Sequence, residues 1–428
     1  MASEIGYTTS ALQYGQPIAR YTHMGNASFV RHLPVNTISG ATTINFTIPP
    51  CDDFIDLEES FMTLKVKIVK NDGQNLVAVD EVAFCDNVPF SVFKSVMVYL
   101  NNTRVTPSTI YQTHCNYFAT RFGTGKAATK IHLNRLQGLT GEASGKNDAK
   151  SDEATGWTER KGWTSLSKEI QFLTQIPSDI FRTCNNFLPP LQDMRLEFKL
   201  NDPDFALVTG GDYKFQVTDM SLYMRHVPVD TSTSMAVFKQ QTVHPLKLNF
   251  TALEAQSFSI PARKQVEFIR GIFPHSLPHQ VFMMLVETDR LNGSKAKDPF
   301  KFENADVEKV ILRHAGSPVM IEAINTDFGN KEASEAYYFL CQAFDVGHNG
   351  RDNNLTYDAF INGSTMWAFT LAPDMDGNSG AGLIQKPGNF EVDIYFKNGS
   401  TNPALTALFM GKIGKTVEIG AENKTTLI

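Results

Sequence analysis

"FKSVMVYLNNTRV", Phe93 to Val105, reads as two strand-forming runs that meet at Asn101-Asn102, and nearly the same phrase returns as "VEKVILRHAGSPV", Val307 to Val319. Setting Val96 on Val310 and Val105 on Val319 brings one strand, one polar turn and one restart into register. Self-similarity at a long spacing points to a duplicated structural unit. The flanking landmarks follow in the same order. Tyr117-Phe118 and Phe122 after the first copy match Tyr338-Phe339 and Phe344 after the second. "FLTQIPSD" (Phe172 to Asp179) matches "FTLAPD" (Phe369 to Asp374), and "LEFK" (Leu196 to Lys199) matches "IYFK" (Ile394 to Lys397). Each copy closes on a final strand pair, Phe215 to Val227 in one and Ala404 to Ile419 in the other.

The segments between these landmarks alternate in side-chain character, as in "ATTINFTIPP" (Ala41 to Pro50), "FMTLKVKIVK" (Phe61 to Lys70) and "YKFQVTDMSLYMRHV" (Tyr213 to Val227). Turn signals such as Asn71-Asp72-Gly73 and Asn201-Asp202-Pro203 bound them. Period-two alternation implies sheets with one buried face. Helix candidates are short, around Tyr111 to Phe122 and Ser334 to Phe344. Two all-β units of about 200 residues, with a long interval between early and late strands, suggest eight-stranded jelly rolls wound from Greek keys, placed in tandem. The expected division is an N-terminal arm 1–25, a first jelly roll 26–230 and a second 231–428 with a short C-terminal tail. The Ser/Thr-rich stretch "HVPVDTSTSMAVF" (His226 to Phe238) is read as the link between strand-like segments.

Composition narrows the function. The chain has 428 residues and a formal charge of -6, with no long basic run, so a groove that neutralises many phosphates is disfavoured and sequence-specific nucleic-acid binding is not expected. No apolar run approaches the roughly 20 residues that span a bilayer. The start "MASEIGYTTSALQYGQ" lacks the basic and apolar regions of a signal peptide. Cys51, Cys85, Cys115, Cys184 and Cys341 are scattered singly, which reads as reduced thiols from a cytosolic or nuclear site of synthesis. The Asn45-Phe46-Thr47 triplet is read as chance.

Motifs for chemistry fall short. "FGTGKAAT" fails as a phosphate loop, because Thr120 and Ala127 stand where Gly and Ser or Thr are needed. Tandem jelly rolls also occur in bicupin metalloenzymes, yet no His-x-His or His-x-Asp pair appears. His275, His279, His314 and His348 read as turn or surface histidines, so no metal or other cofactor is expected. No Gly-x-Ser-x-Gly elbow occurs, and Asp52-Asp53 and Glu58-Glu59 read as turns and solvated strand ends. The units differ most at Gly123 to Lys168, a polar, Gly-rich insertion in the first. A floppy surface loop is one reading. Trp157 and Trp163 within it favour another, a projecting loop that orders against a neighbouring subunit, and they are the candidate assembly residues.

"DDFIDLEESFMTLKVKIVK" (Asp52 to Lys70), "FLPPLQDMRLEFKLNDPDFAL" (Phe187 to Leu207) and "PGNFEVDIYFKNGSTNPALTALFM" (Pro387 to Met410) resemble segments of double jelly-roll major capsid proteins, above all those of Polinton or Maverick elements and adintoviruses in the adenovirus-like lineage. The resemblance runs from about Asn26 to Ile419. It implies a hexon-like homotrimer whose six jelly rolls make a pseudo-hexagonal capsomer tiling an icosahedral virion. It also implies outward towers at one end and an inward-facing N-terminal arm. Its partners would be further copies of the chain, penton and minor capsid proteins. The chain is compact for such proteins and its arm carries no basic cluster. A carbohydrate-binding β-sandwich and a bicupin-like metalloenzyme are the alternative functions.

Overall fold

The computed structural model describes residues 23–106, 111–141, 148, 155–346, 351–372, 375 and 390–428. Its first part contains β1 (Ser28–His32), β2 (Thr43–Ile48), β3 (Phe54–Lys70), β4 (Val82–Phe84), β5 (Phe93–Leu100), β6 (Thr103–Arg104), β7 (Ile170–Gln175), β8 (Met194–Leu200), β9 (Leu207–Thr209) and β10 (Tyr213–Val227). They build sheets of order β1-β10-β3-β7 and β2-β8-β5-β6, with β4 and β9 as a separate pair. The second part contains β11 (Leu246–Ile260), β12 (Val266–Ile272), β13 (Gln280–Glu287), β14 (Val307–His314), β15 (Ser317–Pro318), β16 (Ile324–Asn325), β17 (Met366–Thr370), β18 (Phe390–Phe396), β19 (Leu405–Ile419) and β20 (Thr425–Leu427). Here the orders are β11-β19-β13-β17 and β12-β18-β14-β15, with β20 on β19 and β16 on β14.

Leaving out the small accessory strands β4, β9, β16 and β20, both parts have one winding. The first, eighth, third and sixth strands share one sheet, and the second, seventh, fourth and fifth share the other. That is the jelly roll, a doubled Greek key, and it occurs twice. The four strand landmarks fall on equivalent strands, β5–β6 with β14–β15, β7 with β17, β8 with β18 and β10 with β19, and the fifth, the Tyr-Phe pair, lies on a helix in each copy, Gln112–Phe122 and Ser334–Ala343. The opening phrase is the fourth strand, a hairpin and the fifth strand of each unit. Its turn places Asn101 and Asn102 at φ 47° and 65° in the first copy, and Ala315 and Gly316 at 51° and 83° in the second. Two consecutive positive φ values are what a tight, right-twisted two-residue hairpin requires, and Asn and Gly tolerate them best.

Alternation sets the cores. Along β3, Met62, Leu64, Val66 and Ile68 point inward and are fully buried, while Lys65 and Lys67 face out. β13 departs from this pattern, with Val281 through Val286 all at 0% exposure. The explanation is the helix Gln112–Phe122, which leaves the first unit and lays Phe118 on Phe282 (ring centroids 4.6 Å) and on Phe344 (5.4 Å). The second unit thus gains a second covered face on this sheet from its neighbour, and one apolar cluster draws residues from both.

The Ser/Thr-rich link joins strands β10 and β11 and adds an element that its sequence was not read to contain. It folds as a helix, Thr231–Val243, whose first turn is capped by the Asp230 carboxylate accepting from the Ser232 and Thr233 amides at 3.1 and 3.2 Å. Asp before Thr-Ser-Thr is a strong N-terminal cap, and it outweighs the weak helix preference of those residues.

Candidate assembly site

The insertion Gly123 to Lys168 is mostly helical where it is described, with non-helical backbone at 123–125, 138–141, 148 and 168. Lys126–Ala128, Thr129–Leu133 and Asn134–Gln137 form a continuous wound segment, and Thr155–Thr164 forms a separate helix. Trp157, Arg160 and Thr164 recur at helical spacing and turn one face toward the body, all buried. Trp157 is only 7% exposed, donates from Nε1 to the Val208 carbonyl at 3.0 Å, and holds the Lys161 ammonium 5.4 Å above its ring. Trp163 is half-buried, with its ring 6.5 Å from that of Phe172 on β7. The expected projecting loop is therefore corrected at Trp157, whose ordering partner is β9 of its own chain. The reason is that β4 and β9 offer an apolar ledge with a free carbonyl, which an indole satisfies at both ends. Trp157→Phe keeps the ring contact and loses the hydrogen bond, so a loss of about 1–2 kcal/mol in urea unfolding is expected. A change below 0.3 kcal/mol would show that bond to be idle.

Arg160 lies under the same helix at 0% exposure. Its Nε donates to the Phe84 carbonyl at 2.8 Å, its Nη1 donates to Thr140 Oγ1 at 2.6 Å, and that nitrogen stands 3.6 Å from the fully buried Asp86 carboxylate. Asp86 Oδ1 accepts from the Thr140 amide and hydroxyl at 2.7 and 3.0 Å. Beside this group, the segment Asp298-Pro299-Phe300 of the second unit plugs into the first. Phe300 stacks on Tyr117 with centroids 4.0 Å apart, and His114 meets Phe205 and Phe300 edge-on at 5.5 Å each. Arg290 braces the plug, donating to both oxygens of Asp148 at 2.9 and 3.1 Å and to the Asp298 carbonyl at 3.3 Å.

Burial dominates the electrostatics of this seam. It pushes the Asp298 carboxyl up to about 7, since Asp148 and Asp86 add to desolvation and Arg160 only partly offsets them. Asp298 Oδ1 accepts from the Phe300 amide at 3.0 Å, and Oδ2 has no hydrogen-bond partner among the described residues. Burial also lowers His114 to about 4, keeping its imidazole neutral, and raises the Cys85, Cys115 and Tyr117 groups so that they stay protonated. Such groups are held in place rather than poised to react. Among the described residues no three His, Cys, Asp or Glu side chains gather as a metal would require, and His314 instead stacks on Phe390 at 4.7 Å. His348 lies outside the described residues. A cleft of about 1140 Å³ opens between the insertion and the second unit with mixed charge on its walls, Arg121, Lys126, Lys130 and Lys301 against Glu159, Glu303 and Asp358.

Of the seam residues, sequence marked Tyr117 alone, and that as a landmark of the duplication rather than of a buried contact. Arg160, three residues after Trp157 on the same helical face, was the one readable sign, because a charged residue on a tryptophan-bearing face needs a buried partner.

The whole chain can be set beside known proteins. A chain of the Sputnik virophage superposes with a TM-score of 0.62 at 12% identity, covering 99% of this chain and 92% of that one. The fold is that of double jelly-roll capsid proteins. The mavirus major capsid protein gives 0.55 at 11% identity over 100% and 94%, and the faustovirus major capsid protein 0.56 at 10% over 95% and 92%. In sequence, the chain is 21% identical over 363 residues to an uncharacterized protein of Caenorhabditis elegans, F54H12.2, covering 80% of this chain and 83% of that one. No family model matches. Among the described residues no helix is long and apolar enough to cross a membrane.

Proposed function

We propose that this chain is a major capsid protein, forming homotrimers whose six sandwiches present a pseudo-hexagonal outline and tile an icosahedral virion shell. The observation that carries this reading is the pair of equally wound jelly rolls locked by a buried seam. Two similar but unequal blocks in one chain let a threefold ring offer six near-equivalent flanks. The full-length likeness to virophage, mavirus and faustovirus chains supports it. The division into an arm 1–25 and units 26–230 and 231–428 belongs to the same proposal, as do penton and minor capsid proteins as partners. Trp157 and Trp163 enter it in a changed role. They hold the insertion against its own chain so that the insertion's outer side, with Ile131 77% exposed, faces a neighbour. The resembling sequence segments favour a Polinton- or adintovirus-like source.

The test is native mass followed by electron microscopy of the same peak. A trimer is expected at three times 47.6 kDa, about 143 kDa, with a hexagonal outline. A monomer that persists at high concentration sinks the proposal.

A further inference from the structure

The duplicated fold exposes a difference between its copies. In the second sandwich the first strand, β11, is 15 residues long and pairs with β19 along its whole length, from Leu246 opposite Ile419 to Ile260 opposite Leu405. In the first sandwich the equivalent strand, β1, has 5 residues and meets β10 only from Leu222 to His226. Pro34 follows, which has no N–H to continue a ladder, and Val35 turns aside to donate to the Asn45 carbonyl at 2.8 Å. Tyr213 through Ser221 therefore pair with β3 on one side and with no described strand on the other.

The vacant position is a groove of about 450 Å³ whose walls include Ile38, Leu200, Phe215 and Val217. Exposed apolar side chains continue beside it, Leu33 at 59% and Val35 at 69%. An unpaired edge of this length over an apolar groove is what an added strand requires.

We propose that this open flank takes the segment Tyr7 to Tyr14 of a second copy as an antiparallel strand in line with β1. The inference rests on the shell-forming reading above and names one contact within it. The segment "YTTSALQY" is rich in strand formers and lies in a run, Ile5 to Ile18, without any charged residue. It therefore brings no carboxylate or ammonium into the apolar groove.

The donor is a neighbour because the chain's own segment cannot reach in this sense. The described chain starts beside the far end of β10, where the Asp230 amide donates to the His23 carbonyl at 3.0 Å and the Gly25 amide to the Pro228 carbonyl at 2.8 Å. An antiparallel occupant ends near Lys214, roughly 53 Å away along the strand at about 3.3 Å per residue. The steps from Tyr14 to His23 span at most about 32 Å fully extended. A parallel occupant of the same chain would have to run over β1, which already fills that flank.

Two measurements on the full chain decide the matter. Thr9→Pro combined with Ser10→Pro removes one N–H from each edge of the segment, so a ladder donor is lost in either register, and both positions precede the first sandwich in sequence, so folding is retained. Amide exchange within Tyr213 to Ser221 is expected to speed up about tenfold or more in this variant, with the β11–β19 amides unchanged. A benzophenone amino acid in place of Leu12, in assemblies mixed from ordinary and nitrogen-15 copies, should give cross-links between light and heavy chains that land on Ile38 to Ala41 or Tyr213 to Ser221. Cross-links confined to one copy, or landing elsewhere, overturn the proposal, as does unchanged exchange in the double-proline variant. If trimers and shells still form in either case, the capsid reading stands without this contact. A wild-type chain that stays monomeric overturns both.

Discussion

Asp298→Asn flattens the pH dependence of stability, and the gap between variant and wild type opens by about 2–3 kcal/mol between pH 5 and pH 8 in urea unfolding. Asp298 is fully buried at the plug, and desolvation raises its carboxyl to about 7 from an ordinary value of 3.8. The folded chain therefore binds a proton that the unfolded chain releases. Stability from this group is fully present below about 4 and is lost as pH rises through about 7, so alkali weakens the wild type. The groups facing Asp298 do not reverse that sign. Arg160 is engaged by Phe84, Thr140 and Asp86, Arg290 grips Asp148, and the Asp148 and Asp86 carboxylates repel a new negative charge. Asn keeps the oxygen that accepts from the Phe300 amide and carries no proton to lose across this range. Other titrations are common to both chains and cancel in the difference. Curves that stay parallel from pH 5 to pH 8 would show that Asp298 does not titrate at the seam.

The two sandwiches and the seam differ in how far sequence can reach them. The duplication was readable because a hairpin with positive φ at both turn residues leaves a short polar signature, Asn101-Asn102 in one copy and Ala315-Gly316 in the other, between alternating runs. Strands β10 and β2 are visible as alternation for the same local reason. The linking helix Thr231–Val243 was hidden, since among its residues only Gln241 is buried and no apolar stripe marks a face. Its cap at Asp230 was the sole local sign. The seam was hidden more deeply. Asp86 finds Arg160 and Asp148 finds Arg290 across long stretches of chain, and charged residues read one at a time look like solvated surface. The tryptophans pointed to the right segment, read as a loop and not as the helix Thr155–Thr164, and sequence could not tell a neighbour's surface from the chain's own β9.

Arg160→Met destabilises the folded chain by about 3–5 kcal/mol at neutral pH, the range for removing one partner of a fully buried ion pair. Methionine restores much of the volume and none of the charge, so the loss reports electrostatics more than a cavity. Asp86 keeps its bonds from Thr140, but its Oδ2 has no hydrogen-bond partner among the described residues, and its charge would then lose the Arg160 guanidinium in a closed interior. The Phe84 carbonyl on β4 loses its donor as well. Asp86→Asn on the Arg160→Met background removes the stranded charge, and the double variant is expected to recover at least about 1–2 kcal/mol of the single loss, since the two side chains share one network. The same background separates the insertion's anchoring from global stability. Trp157 still holds the helix Thr155–Thr164 to Val208, so limited proteolysis in native buffer should cut within Gly123 to Lys168 faster than in wild type while both sandwiches stay intact. A single variant that loses less than about 1 kcal/mol, with no recovery in the double, would mean that the Arg160–Asp86 pair contributes little and that the seam is held by Phe300 and Tyr117 packing alone.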